Sequence, residues 1–162
     1  MKASVFEAIS ESIRRGESSD LMFTVGDQEY IRKFLRNDRL IILGGGHVGL
    51  ALCNMAAQLD FTITVVDDRP AFANSQRFAK AQHVICDSFE SAIKAIQICR
   101  TDYVCVLTRG HRWDQHCVEA ILSGEMPHYL GMIGSRRRVA GMKETLLEKG
   151  FDAERIILLW YV

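Results

Sequence analysis

Leu40-Ile41-Ile42-Leu43-Gly44-Gly45-Gly46-His47-Val48-Gly49 is the stretch on which the reading of this chain turns. Four consecutive apolar residues, Leu40 to Leu43, read as a short strand buried on both faces, as in a parallel sheet covered by helices. The glycines then fall at Gly44-x-Gly46-x-x-Gly49 and lead into a helix over Val48 to Leu59. That helix carries small residues, Ala51, Ala56 and Ala57, on faces suited to close packing on strands. Such a spacing alone is a weak signal. Its place between a strand and a helix gives each residue a physical task. Gly44 permits the tight turn, Gly46 lets a pyrophosphate approach the backbone, and Gly49 lets the helix settle on the sheet. The amides of Gly44, Gly45, Gly46, His47, Val48 and Gly49 would then face an anion at the positive end of the helix dipole. His47 sits inside this loop, either touching the ligand or simply exposed.

A second strand, Thr62 to Val66, ends at Asp67, about 20 residues after the loop, where an acid can accept hydrogen bonds from ribose hydroxyls. Its charge disfavours a 2′-phosphate, so NAD fits better than NADP. Arg69, just beyond Asp68, weakens that preference.

The same alternation continues along the chain. His83 to Cys86 reads as a strand and Phe89 to Ile98 as a helix. Tyr103 to Leu107 reads as a strand, Gln115 to Leu122 as a helix, Tyr129 to Ile133 as a strand and Arg136 to Lys149 as a long helix. Short apolar strands separated by helices imply an α/β fold with a doubly wound, mainly parallel, Rossmann-like sheet, and right-handed crossovers favour the order 3-2-1-4-5. Residues 39–162 form this domain. Residues 1–38 read as an appendage: a helix over residues 3–15 with Val5, Ala8, Ile9 and Ile13 at helical spacing, stopped by Gly16, then a hairpin of Leu21 to Val25 and Tyr30 to Leu35 around Gly26-Asp27-Gln28.

Two further clusters fall where strands end. Thr108-Arg109-Gly110-His111-Arg112-Trp113-Asp114 follows the fourth strand, and in open α/β sheets ligands bind beyond the strands' carboxyl ends. Thr108, Arg109, His111 and Asp114 therefore belong near the glycine loop. His111 is the candidate for proton transfer, and Asp114 reads as the N-cap of the helix that follows. Gly134-Ser135-Arg136-Arg137-Arg138 follows the fifth strand. Ser135 is a good N-cap, but three arginines in a first helical turn oppose the dipole. The cluster is either a solvated basic helix start or a second anion clamp.

The bulk properties narrow the function classes. The 162 residues carry 20 basic and 20 acidic side chains, so the net charge is zero and leaves no footprint for nucleic acid or an anionic membrane. The apolar run Ile156 to Val162 is far short of the roughly 20 residues that span a bilayer. It reads as a last buried strand or as an altered terminus. The first residues lack a signal peptide's apolar core, which fits the cytoplasm. Cys53, Cys86, Cys99, Cys105 and Cys117 include no CxxC pair and read as buried reduced thiols with no metal site. The apolar tail and the appendage point to a partner surface, such as that of a homodimer.

Leu40 to Gly49, Val66-Asp67-Asp68-Arg69-Pro70-x-Phe72-Ala73, Thr108-Arg109-Gly110-His111-x-x-Asp114 and Gly131-Met132-Ile133-Gly134-Ser135-Arg136-Arg137 occur in this order. Together they resemble the C-terminal Rossmann domain of the XdhC/CoxI family, accessory proteins of xanthine dehydrogenase and related molybdenum hydroxylases. The resemblance implies a maturation factor that binds molybdenum cofactor, supports its sulfuration and delivers it to the apo-hydroxylase, with a cysteine desulfurase as a further partner. It places Gly44, Gly46, His47, Gly49 and Asp67 in a nucleotide-type site for NAD(P) or a related ligand, with Arg109, His111, Asp114, Ser135 and Arg136 lining the same crevice. The family's N-terminal domain and the proline-glycine segment expected after Arg155 have no counterpart in this sequence. Spacing alone leaves open a nicotinamide-dependent oxidoreductase and a nucleotide-sensing domain without catalysis.

Overall fold

The structure, a computed structural model, describes residues 2–14, 17–34 and 38–152, without the side chains of Lys2, Ala3, Arg14 and His111. The expected helix stop at Gly16, the strand end at Leu35 and the tail Ile156 to Val162 lie outside the described residues. The chain divides into two units, Met1–Asn37 and Asp38–Val162.

The first unit contains helix α1 (Lys2–Arg14) and a hairpin of β1 (Ser19–Val25) and β2 (Gln28–Phe34). Gly26 turns the hairpin at φ +64°, so only Gly26 and Asp27 separate the strands. Phe23 stacks on Tyr30 across it, with ring centroids 5.7 Å apart. Among the four apolar positions that suggested α1, only Ile9 is buried.

The second unit is a five-stranded parallel sheet, built from β3 (Arg39–Leu43), β4 (Thr62–Asp67), β5 (His83–Cys86), β6 (Tyr103–Val106) and β7 (Tyr129–Met132). Its order is β5-β4-β3-β6-β7, the 3-2-1-4-5 arrangement expected from the sequence. The order reverses at β3, which lies between β4 and β6. The intervening helices are α2 (His47–Ala56), α3 (Phe89–Ile96), α4 (His111–Leu122) and α5 (Arg136–Glu148).

The apolar strands are read twice, once on each face. Ile41, Leu43, Val66, Val104, Val106, Leu130 and Met132 point to one layer, where they meet Phe89 and Ile93 of α3, Val118 and Ile121 of α4, and Val139 and Leu146 of α5. Leu40, Ile42, Ile63 and Val65 point to the other, against Cys53 and Ala56 of α2 and against Phe78. Helix α2 seats Gly49, Cys53 and Ala56, the i, i+4, i+7 stripe of a helix on a sheet, while Ala51 faces solvent.

The thiols depart from the expectation of uniform burial. Cys53, Cys105 and Cys117 are buried, but Cys86 at the end of β5 is exposed and Cys99 is half-buried. Burial pushes the Cys105 thiol up to about 11. The Cys117 thiol is pushed up to about 12, by burial and then by the charge of Asp114. Because thiolate is the reactive form, an aromatic disulfide reagent should label Cys86 quickly and leave Cys105 and Cys117 silent until the chain unfolds.

Candidate functional site

The strands' carboxyl ends bring three loops together around the end of β3. The first is the glycine loop. Gly44 adopts φ +125° and its N–H donates to Val66 O at 2.8 Å. A Cβ on Gly44 would sit 2.3 Å from Leu107 O, so the loop after β6 closes on it directly. A Cβ on Gly49 would lie 2.1 Å from Gly44 O and 3.3 Å from Ile42 Cγ2, which is the close helix-to-sheet seat that the spacing implied. Gly45, given no separate role by the sequence, is as constrained: its Cβ would meet Phe72 O at 2.4 Å.

Gly46 differs from all three. Its φ of −67° and ψ of −168° suit any residue, and a Cβ there would meet nothing within 4 Å. The missing side chain leaves open space in front of the loop. Gly46 is also the N-cap of α2, and no side chain caps that helix. Serines cap α3 and α5, by contrast: Ser88 Oγ accepts from Ser91 N and Ser135 Oγ from Arg138 N. The first amides of α2 have no acceptor within the helix. With His47 and Val48 exposed beside them, they can serve as a seat for an anion, each such charge at a helix start contributing about 0.3–1 kcal/mol.

Asp67 stands behind this seat rather than in front of it. It is 1 % exposed. Its Oδ2 accepts from Gly45 N at 2.8 Å and Arg69 Nη2 at 3.0 Å, and its Oδ1 from Arg69 N at 3.1 Å and Arg69 Nε at 2.8 Å. Burial pushes the carboxyl up, but Arg69 and the Gly45 amide outweigh burial and hold it below its ordinary value. A carboxyl depressed in the folded state contributes stability at neutral pH that disappears as pH falls below the unfolded value near about 4. Asp67→Asn should therefore flatten the acid limb of a stability-versus-pH curve, read by urea unfolding between about pH 6 and pH 3. An acid limb unchanged by the substitution would show that Asp67 carries none of it.

Arg77, which the sequence did not single out, completes the loop's support. Its Nε donates to Gly45 O at 3.0 Å, and its Nη2 is buried without a hydrogen-bond partner. Phe72 carries Arg69 at 3.7 Å from its ring centroid and Arg77 at 5.4 Å. Three-dimensional closure of the 70s segment on Gly45 brings these residues together, and no local spacing encodes it.

The second and third loops are tied to their neighbours by ion pairs. Arg109, after β6, grips Asp68, after β4, through Nη1 to Oδ1 at 2.7 Å and Nη2 to Oδ2 at 3.0 Å. Because β4 and β6 flank β3, this pair joins the loops on either side of the glycine loop.

Asp114 is not an N-cap. Helix α4 begins at His111 with Gly110 as its N-cap, which places Asp114 within the first turns, 2 % exposed. A glycine at the N-cap lets the helix start four residues earlier. Asp114 accepts from Thr108 Oγ1 at 2.5 Å and from Arg138 Nη2 at 2.6 Å. Burial raises its pKa, while Thr108 and Arg138 oppose the rise. The chain Thr108–Asp114–Arg138 thus links the loop after β6 to the start of α5. Gly134 is buried, and Ser135, Arg136 and Arg137 are exposed at that start, with Ser135 the expected cap. His111 opens α4, and its side chain lies outside the described residues.

A parallel sheet that reverses at β3, with an uncapped glycine loop opening a helix there, defines a Rossmann-type domain. Within that class the chain belongs to the XdhC family: its XdhC Rossmann domain is matched over residues 40–159. A relative in Bacillus subtilis, named as a probable xanthine dehydrogenase subunit, is 32 % identical over 67 % of this chain and 33 % of its own length. Another, "Uncharacterized protein YqeB" of Escherichia coli, is 30 % identical over 75 % of this chain and 22 % of its own. The chain therefore spans a third or less of the relatives it matches. A crystal structure of a xanthine dehydrogenase from Bacillus halodurans superposes with a TM-score of 0.73 at 18 % identity, covering 87 % of this chain and 55 % of that one, which shows the shared fold. Among the described residues, no helix is long and apolar enough to cross a membrane and no three His, Cys, Asp or Glu side chains gather to hold a metal ion.

Proposed function

We propose that this domain holds a phosphate-bearing, nucleotide-like ligand on Gly44–Gly49 and works as an XdhC-type accessory factor for a molybdenum hydroxylase. The open space before Gly46, set against the packed surroundings of Gly44, Gly45 and Gly49, is the observation that carries the ligand. Family membership and the name of the Bacillus subtilis relative support the hydroxylase link. Molybdenum cofactor, a pterin with a phosphate tail, suits the same seat as NAD(P), since both offer a phosphate to backbone amides. In this reading the domain binds the cofactor during its maturation and passes it to the apo-hydroxylase, with a cysteine desulfurase as the source of sulfur. The amides of Gly46, His47 and Val48 receive the phosphate, Asp67 and Arg77 hold the loop in shape, and Asp68 and Arg109 border the seat.

Calorimetric titration with NAD, NADP, AMP and isolated molybdenum cofactor tests it. At least one should bind the wild type, and Gly46→Val should weaken that ligand about 100-fold, since a branched side chain fills the space a phosphate needs and several charge-assisted hydrogen bonds are lost together. Its unfolding free energy should stay within about 1 kcal/mol of wild type, the usual scale for replacing an N-cap residue. Undiminished affinity in Gly46→Val would remove the site. Turnover of a nicotinamide with a small substrate would instead favour the oxidoreductase reading.

A further inference from the structure

The sugar side of the glycine-loop site does not hold the free acid that the sequence led one to expect. A carboxylate has about four acceptor positions. Asp67 has all of them filled, by Gly45 N and by three Arg69 donors, and is 1 % exposed. Asp68 is the other acid at the end of β4, and both of its oxygens are taken by Arg109. A ribose diol placed here would find no carboxylate free of a guanidinium. Asp68 keeps one acceptor position on each oxygen, but Arg109 already balances its charge, which makes it a weaker acceptor for a neutral diol than an unpaired acid would be.

A phosphate faces the opposite situation. Arg69, Arg77 and Arg109 set three guanidiniums against the two carboxylates of Asp67 and Asp68. Arg77 forms no ion pair with an acid among the described residues, and its buried Nη2 has no hydrogen-bond partner. Arg109 is 40 % exposed on its side chain and Asp68 24 %, so their pair can open to solvent without unpacking the core. A phosphomonoester can replace Asp68 on Arg109, one two-pronged pair for another, and it brings up to two negative charges to a cluster of net positive charge.

We propose that this site selects ligands carrying a phosphomonoester at the end of β4, of which a 2′-phosphorylated nucleotide is the simplest, over ligands that present a free ribose diol there. The proposal rests on the glycine-loop reading above and reverses the preference for NAD drawn from Asp67. Asp67 becomes a strut of the loop, and Asp68 becomes the resting counter-ion that a ligand phosphate displaces.

Calorimetric titration of the full chain with 5′-AMP and 2′,5′-ADP, which differ by one phosphate, tests it. The 2′-phosphorylated ligand should bind about tenfold tighter or more at low salt, as expected for one added charge-assisted pair, and the difference should shrink at about 0.5 M salt. Asp68→Asn should widen the difference, because it removes the competitor. Arg109→Ala should abolish it, whereas Arg100→Ala, the loss of an equal charge on an exposed arginine paired with Glu125, should leave it intact. Equal affinities, tighter binding of 5′-AMP, or a difference that survives Arg109→Ala would overturn the proposal while leaving the glycine loop standing. If neither nucleotide binds, nor NAD nor NADP, the proposal falls together with the nucleotide reading of the loop.

Discussion

Gly49→Ala is expected to cost about 3 kcal/mol of stability, the upper end of the ordinary range for forcing a methyl into a filled space. The added carbon would lie 2.1 Å from the Gly44 carbonyl oxygen, and behind it Ile42 Cγ2 is 3.3 Å away. Backbone on one side and a fully buried strand residue on the other leave nothing flexible to yield. Helix α2 must lift from β3, and it takes Cys53 and Ala56 with it. Against a total stability of about 5–15 kcal/mol, the loss should appear as a large drop in urea midpoint with an unchanged slope. Gly46→Ala supplies the contrast, since its methyl meets nothing within 4 Å and its backbone angles suit alanine. It should fall within about 0.5 kcal/mol of wild type. Equal losses at the two positions would mean that the loop is not seated as described.

Arg39→Ala should be comparably damaging, at about 3–5 kcal/mol, although it touches no proposed ligand group. Asp102 is 0 % exposed and accepts from Arg39 Nε at 2.8 Å, from Arg39 Nη2 and from Cys99 N at 2.8 Å. Removing the guanidinium takes from a buried carboxylate two of its donors and the charge that balances it. Arg39 also donates to Gln97 O at 3.0 Å, where Gln97 ends α3 with φ +51°. The start of β3, the end of α3 and the turn before β6 are therefore fastened at one point. This point lies at the amino end of β3, about 15 Å of strand from the glycine loop. Ligand affinity of the folded variant should be unchanged. A loss under about 1 kcal/mol in urea unfolding would show that Asp102 rehydrates freely once Arg39 is gone.

The sheet was legible because its inner strands are buried on both faces and separated by helices, so runs such as Ile41-Ile42-Leu43 and Val65-Val66 are apolar without alternation. Two-sided burial, together with one handedness of crossover, leaves few strand orders. The turn at Gly44 and the helix seat at Gly49 were legible for a related reason: each follows from the local path of a strand turning into a helix. The roles of Asp67 and Asp114 were not. Position along the sequence put Asp67 at the end of the right strand, but its hydrogen-bond partners include Gly45, 22 residues earlier. The place of Asp114 was not encoded locally, because glycine at position 110 is as compatible with a loop as with a helix start. Arg77 carried no signal at all, since its contact with Gly45 spans 32 residues and depends on how the 70s segment folds back.

The most direct measurement is a two-dimensional amide NMR titration of the isotopically labelled chain with NADP and with molybdenum cofactor. The account predicts saturable shifts centred on the amides of Gly46, His47 and Val48, with Asp68 and Arg109 following and Ser135 to Arg138 unmoved. Shifts centred on Ser135 to Arg138, or none at Gly46 under saturating ligand, would contradict it.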